Sequence, residues 1–196
     1  MGYLKKYQKR RYYINPTKPN INVEYEVTAF SKDFGTQYSY FKEDLDPQFP
    51  APLLDKLECN IFVDADHGHD KVTGRSITGI LGFVGSTPAI WSSKRQPCVQ
   101  TSTFGAEFTA LKRAVEEGVS LRYYLRSMGA KVTKPVKIYC DNMGVVINSS
   151  NPVRTLNKKT IVLAYHFTRE HIANNVLWIS GRLTKMETML NLLPRH

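Results

Sequence analysis

A chain of 196 residues with 42% hydrophobic and 22% charged side chains is long enough for one well-cored domain plus an appendage, and short for two full domains. Its formal net charge of +10 points to a polyanionic partner, with nucleic acid the first candidate. No apolar run approaches the roughly 20 residues of a membrane helix, Lys6 stands where a myristoylation signal needs Ser or Thr, and Cys59, Cys98 and Cys140 lack CxxC spacing, which fits a reducing, intracellular setting.

The charge is unevenly spread. Residues 1–19 carry six Lys/Arg and no acid, residues 20–58 three bases against eight acids, and residues 59–196 eighteen bases against nine acids. In the first stretch, Tyr3, Tyr7, Tyr12 and Tyr13 interleave with the bases. Such a pattern suits phosphate tracking with base stacking, and it equally suits a solvated helix end whose tyrosines pack on a neighbour. Residues 15–58 hold Pro16, Pro19, Pro47, Pro50 and Pro52 among acids and aromatics, an irregular, linker-like composition, so a domain boundary is placed near residue 58.

From Cys59 the pattern tightens. Residues 59–66 read as a strand in which Ile61, Val63 and Ala65 share one face and Phe62, Asp64 and Asp66 the other. A polar turn follows, then a strand over 76–84, a short turn and a strand over 89–92, together an antiparallel meander. Thr101-Ser102-Thr103 offers a helix N-cap, and a helix is predicted over 104–128 with Gly129 as its stop. A fourth strand is predicted at 136–140, a short helix from Asp141-Asn142 to about Asn148, a helix at 157–172, a fifth strand at 175–179 and a helical tail at 185–193. The order is α/β with a mixed sheet.

In a domain this poor in acids, the positions of the carboxylates carry information. Asp64 and Asp66 end a buried strand, where unpaired charge is costly. Asp141 ends the fourth strand, and if that strand lies parallel to and beside the first, Asp64 and Asp141 meet at the sheet edge where α/β folds place their sites. Glu107 falls above Leu111 and Ala114, at the border of the helix face that packs on the sheet. Taken singly, Glu107 reads as a dipole-favoured first-turn acid and Asp141 as a helix N-cap. Taken together, the set reads as a divalent-metal site, and oxygen-only ligands favour Mg²⁺ or Mn²⁺. A second grouping, Asp64, Asp66, His67, His69 and Asp70, contains zinc-type donors but no framework of three placed ligands. His166 and His171, five apart on a helix, do not share a face.

Phe62-Val63-Asp64-Ala65-Asp66, Gly74-Arg75-Ser76-Ile77-Thr78-Gly79, Trp91-Ser92-Ser93-Lys94-Arg95-Gln96, Thr101 to Glu107, Tyr139-Cys140-Asp141-Asn142 and Tyr165 to Glu170 come in an order and spacing that resemble the ribonuclease H domain of copia-type retrotransposon polyproteins. The resemblance implies a ribonuclease H-like fold, a five-stranded mixed sheet (antiparallel meander plus parallel strands) flanked by helices. Residues 1–58 then look like the connection from a reverse transcriptase, and residues 59–196 like the ribonuclease H domain. The implied activity is Mg²⁺-dependent cleavage of the RNA strand of RNA–DNA hybrids, within a polyprotein, inside the cell or a virus-like particle. Asp64, Glu107 and Asp141 match three of the family's four catalytic acids, with Asp64 bridging two Mg²⁺ ions (Mn²⁺ as substitute) and Asp66 in a supporting role. Lys94, Arg95, Gln96, Ser102 and Thr103 are placed against the hybrid backbone; Trp91 is assigned either there or to the core.

The match fails at one place. The family's fourth acid aligns with Asn191, or after a one-residue shift with Leu190; Glu187 is the nearest carboxylate that could compensate. Two Mg²⁺ ions bring four positive charges, which three carboxylates leave one short. This keeps open the alternative of a catalytically impaired remnant that retains the fold and binds nucleic acid. No Tyr-x-Asp-Asp polymerase motif occurs in the chain.

Overall fold

The computed structural model describes residues 14–15, 38, 42–53, 56–151 and 161–181. Within them lie strands β1 (Cys59–Asp66), β2 (Ile77–Val84) and β3 (Thr87–Arg95), helix α1 (Thr103–Ser127), strand β4 (Val136–Cys140), helix α2 (Met143–Ser150), helix α3 (Val162–Ala173) and strand β5 (Leu177–Gly181). The five strands form one sheet in the order β3-β2-β1-β4-β5. β1 pairs antiparallel with β2, and β2 with β3, while β4 lies parallel to β1 and β5 parallel to β4. The expected mixed sheet with its meander is therefore present.

Alternation along β1 sorts the molecule into two layers. Ile61, Val63 and Ala65 join one core with Phe108, Leu111 and Val115 of α1, Val145 and Val146 of α2, and Tyr165 and Ile172 of α3. On the other face Phe62 clusters with Leu81, Phe83 and Tyr139, stacked on the Tyr139 ring at 4.8 Å and edge-on to Phe83 at 5.9 Å. Arg169 of α3 lies 3.6 Å over the Tyr165 ring and donates to the Asn148 carbonyl at 2.9 Å, locking α3 to the end of α2.

Local chemistry explains where α1 begins and ends. The Ser102 hydroxyl accepts the Gly105 N–H at 3.2 Å, the capping bond expected for Ser at this position. At the other end Gly129 takes a positive φ of 79°, with Gly129 N–H bonded to the Arg126 carbonyl and Ala130 N–H to that of Leu125. That pair of bonds is a Schellman stop, which favours glycine because it alone enters the left-handed region without a Cβ penalty. Mid-helix, Gly118 lets α1 lie close on the sheet, since a Cβ there would sit 3.2 Å from Ile61 Cδ1.

Two expectations shift, and one falls partly outside the described residues. β3 runs from Thr87 to Arg95, longer than the 89–92 expected, because its polar half is held by pairing with β2 rather than by apolar burial. The fifth strand falls at Leu177–Gly181, two residues later than the sequence pattern suggested, after a turn in which Asn175 adopts a φ of 57°. The third helix is described from Val162; the rest of its expected span and the helical tail at 185–193 lie outside the described residues. The segment before residue 58 is fastened to the domain where it is described. Leu57 N–H bonds the Lys131 carbonyl, Leu53 N–H bonds that of Gly129, and Glu43 pairs with Arg122.

Candidate metal and nuclease site

The parallel register of β1 and β4 brings two acids to one edge. Val63 pairs with Cys140, so Asp64 and Asp141 follow at the carboxyl ends of neighbouring strands. Asp141 is not a helix cap; Asn142 takes that role, its side chain accepting the Val145 N–H at 3.2 Å. Glu107 arrives from α1. It is the fifth residue of that helix, past the first turn, so the macrodipole does not account for it.

Glu107 is the most unusual group of the set. It is only 5% exposed, and its Oε2 is buried with no hydrogen-bond partner among the described residues. Burial pushes its carboxyl up to about 8, the charges of Asp141 and Asp64 push in the same direction, and a hydrogen bond from the Ala65 backbone opposes them. Asp141 is also raised, by loss of water around its carboxyl and then by Asp64. One ligand atom each from Glu107, Cys140 and Asp141 lie within 4.8 Å of one another. Burial pushes the Cys140 thiol up to about 12, so it stays protonated at neutral pH and the donors on offer are carboxylate oxygens. Glu107 and Asp141 lie within that distance, and Asp64, outside the group, is near enough for its charge to raise both; with a buried oxygen left unpaired among the described residues, these acids fit a hard divalent cation.

The neighbouring residues divide. Asp66 is exposed, and its carboxylate accepts a hydrogen bond from His69 Nδ1 at 2.5 Å within the turn that follows β1. His67 Nε2 contacts the Gln100 carbonyl at 2.9 Å and Asp70 binds Arg95 at 3.0 Å, so these side chains stitch loops together. Lys94, Arg95 and Thr103 are exposed, and Ser102 is half-buried in its capping role. Trp91 is 72% exposed, which removes it from the core. Gln96 requires a correction. It is 3% exposed, and its Nε2 donates to Thr78 Oγ1 at 3.0 Å and the Ala106 carbonyl at 2.9 Å, so it fastens β2 to α1 instead of facing a nucleic acid. Asn191 and Glu187, the candidates for the fourth position, lie outside the described residues. His166 is exposed and bonds Tyr38 at 3.0 Å, while His171 packs at 4.5 Å from the Phe167 ring. The role of Cys140 beside the acids went unread in the sequence; its place immediately before Asp141 was the available signal.

The strand order, the parallel β1–β4 pair and the helix bringing Glu107 to its end define a ribonuclease H-like domain. No protein-family model matches the sequence. Over 121 residues, 62% of the chain, it is 33% identical to the retrovirus-related Pol polyprotein from transposon RE1 of Arabidopsis thaliana, covering 8% of that protein. Over 138 residues, 69% of the chain, it is 30% identical to the Pol polyprotein from transposon TNT 1-94 of Nicotiana tabacum, covering 10% of it. Among solved structures it is similar to LC11-RNase H1, isolated from compost, with a TM-score of 0.48, 17% identity and coverage of 69% of this chain and 89% of that one. Sequence kinship and strand order together identify the ribonuclease H region of a retrotransposon polyprotein. The chain spans a tenth or less of the length of these Pol polyproteins. Among the described residues no helix is long and apolar enough to cross a membrane.

Proposed function

We propose that this domain is a divalent-metal-dependent endonuclease that hydrolyses the RNA strand of RNA–DNA hybrids as part of a retrotransposon polyprotein. The observation that carries the reading is the buried Glu107 Oε2, which has no hydrogen-bond partner among the described residues and lies near Asp141 and Asp64 at the end of two parallel strands. Asp64, Glu107 and Asp141 are the residues that would hold Mg²⁺, or Mn²⁺ in its place. The bound metal would supply polarisation of the phosphoryl oxygen and a nucleophilic water at neutral pH. The protein's own part is geometric. The β1–β4 register sets the spacing of the two aspartates, and the Ala65 N–H orients the Glu107 carboxyl. Exposed Lys94, Arg95 and Thr103 are placed to meet backbone phosphates, which set register without reading sequence. Residues 1–58 are assigned to the connection from the reverse transcriptase, and the setting is intracellular.

The test is cleavage of an end-labelled RNA–DNA hybrid in Mg²⁺ or Mn²⁺, with Asp64→Asn and Asp141→Asn as controls. Cleavage by the wild type and loss in both controls is the expected outcome. Wild-type cleavage no higher than that of the controls overturns the nuclease reading. Salt-dependent hybrid binding in that event would favour the second reading, a remnant that binds without cutting, for which the absence of a carboxylate at Asn191 is the specific observation.

A further inference from the structure

Cys140 ends β4 on the α1 side of the sheet. It pairs directly with Val63, shares the core cluster with Val63 and Ala65, and is 1% exposed. The Glu107 carboxyl reaches the same place from α1, bonded to the Ala65 backbone. A sulfur therefore lies beside two acids: one donor atom each from Cys140, Glu107 and Asp141 lie within 4.8 Å of one another. We propose that these three residues form a second metal site, for the thiophilic ion Zn²⁺, which overlaps the hard-ion site and excludes its occupant. The exclusion, but not the zinc binding, rests on the metal reading above.

The geometry is close to what zinc needs. With Zn–S near 2.3 Å and Zn–O near 2.1 Å, donors around a tetrahedral ion stand roughly 3.4–3.6 Å apart. Closing from 4.8 Å takes at most about 1.4 Å. Glu107 Oε2 is free to make that movement, since it is buried with no hydrogen-bond partner among the described residues and gives up no bond by turning. Asp141 is exposed, so its carboxylate can swing and a water can reach the fourth position.

Sulfur is what separates the two ions. Mg²⁺ and Mn²⁺ seek oxygen and leave a protonated thiol alone. Zn²⁺ takes a thiolate: the S–H bond breaks, its proton passes to solvent, and a sulfur lone pair forms the Zn–S bond with no change of oxidation state. One sulfur, two carboxylate oxygens and a water complete four-coordination. Glu107 and Asp141 serve both ions, so occupancy by one precludes the other. Other zinc-type donors are engaged or distant. His67 meets the Gln100 carbonyl and His69 the Asp66 carboxylate, while Cys59 opens β1 at the end away from Asp64.

The experiment is absorption-monitored titration of the 196-residue chain with Co²⁺, a spectroscopic stand-in for Zn²⁺, in a Cys98→Ser background that removes the exposed thiol. The expected result is an ultraviolet thiolate-to-Co²⁺ charge-transfer band with the intense visible bands of four-coordinate Co²⁺, both abolished by equimolar Zn²⁺. Adding Cys140→Ala, or Cys140→Ser as the closer isostere, should remove the charge-transfer band, and thermal unfolding curves in EDTA establish that the variants remain folded. Excess Mn²⁺ should move the Co²⁺ midpoint to higher concentration. Absence of the charge-transfer band at saturating Co²⁺ in the Cys98→Ser protein overturns the site by itself, with no further variant needed. A band that survives replacement of Cys140, or that Zn²⁺ fails to abolish, overturns it as well. Each of these results leaves the Mg²⁺ reading standing, whereas a Co²⁺ midpoint indifferent to Mn²⁺ overturns the exclusion alone.

Discussion

Arg122 of α1 forks onto both carboxylate oxygens of Glu43, with Nε at 2.7 Å and the second terminal nitrogen at 3.0 Å. Its remaining terminal nitrogen donates to the Lys134 carbonyl, and Arg126 adds an ion pair to Glu43 at 2.9 Å. A guanidinium this deeply buried is tolerable only because every face of it is paired. The pair therefore anchors the segment before the domain to the far end of α1, away from the carboxylate cluster. Glu43→Ala should destabilise the fold by about 3–5 kcal/mol, the cost of leaving one partner of a buried pair alone. Urea unfolding measures it, and a loss below about 1 kcal/mol would show that the contact is not what holds the segment.

The same pair predicts acid sensitivity. Burial by itself would raise the Glu43 carboxyl, but the hydrogen bond and charge of Arg122, with help from Arg126, hold it below its ordinary value. A depressed carboxylate contributes stability above its unfolded pKa and loses it as pH falls through the folded value. Wild type should lose stability between about pH 5 and the depressed value, and Glu43→Gln should lose less over that range. Equal acid sensitivity in the two would contradict the assignment.

Glu107 carries the opposite sign. Its folded value of about 8 lies above the ordinary 4.5, so the metal-free protein binds a proton there that the unfolded chain has released. Stability should fall as pH rises from about 4.5 to about 8, by roughly 5 kcal/mol at most, and level off beyond. Thermal unfolding in EDTA across pH 5–9 tests this. Glu107→Gln should flatten the profile, and added Mg²⁺ or Mn²⁺ should restore wild-type stability at high pH while doing little for the variant. A flat wild-type profile in EDTA would contradict it.

Gln96 separates structure from recognition. Because its amide ties Thr78 to the Ala106 carbonyl inside the protein, Gln96→Ala should cost about 1–3 kcal/mol through the unpaired groups it leaves. Among folded molecules, hybrid affinity should match the wild type. A variant of full stability and reduced affinity would return Gln96 to the surface role first assigned to it.

Gly118 tests the packing that positions Glu107. Its missing Cβ is matched by Ile61 Cδ1 at 3.2 Å and Val136 Cγ1 at 3.4 Å. Gly118→Leu should push α1 off the sheet and cost about 1–3 kcal/mol or more by overpacking. Gly118→Ala should come near balance, since helix propensity offsets a contact of a few tenths of an ångström. Denaturation midpoints of the two variants rank them.

Local and periodic information was enough for most of the architecture. Alternation along residues 59–66 sorted Ile61, Val63 and Ala65 from Phe62 because side chains on a strand have a period of two, and Ser102 and Gly129 bounded α1 because caps and stops depend on the backbone of a few adjacent residues. The acids of the candidate site were legible for a related reason: carboxylates are expensive at the ends of apolar runs, so their positions stood out. Burial of particular side chains was beyond that reach. Gln96 and Trp91 lie five residues apart in the same polar stretch, yet one is 3% and the other 72% exposed. Only the pairing of β3 at the sheet edge and the approach of α1 decide which is covered. The Glu107 oxygen without a partner among the described residues and the Arg122–Glu43 anchor likewise depend on residues far apart in the chain, and such joins are set by which faces the packed elements present to one another.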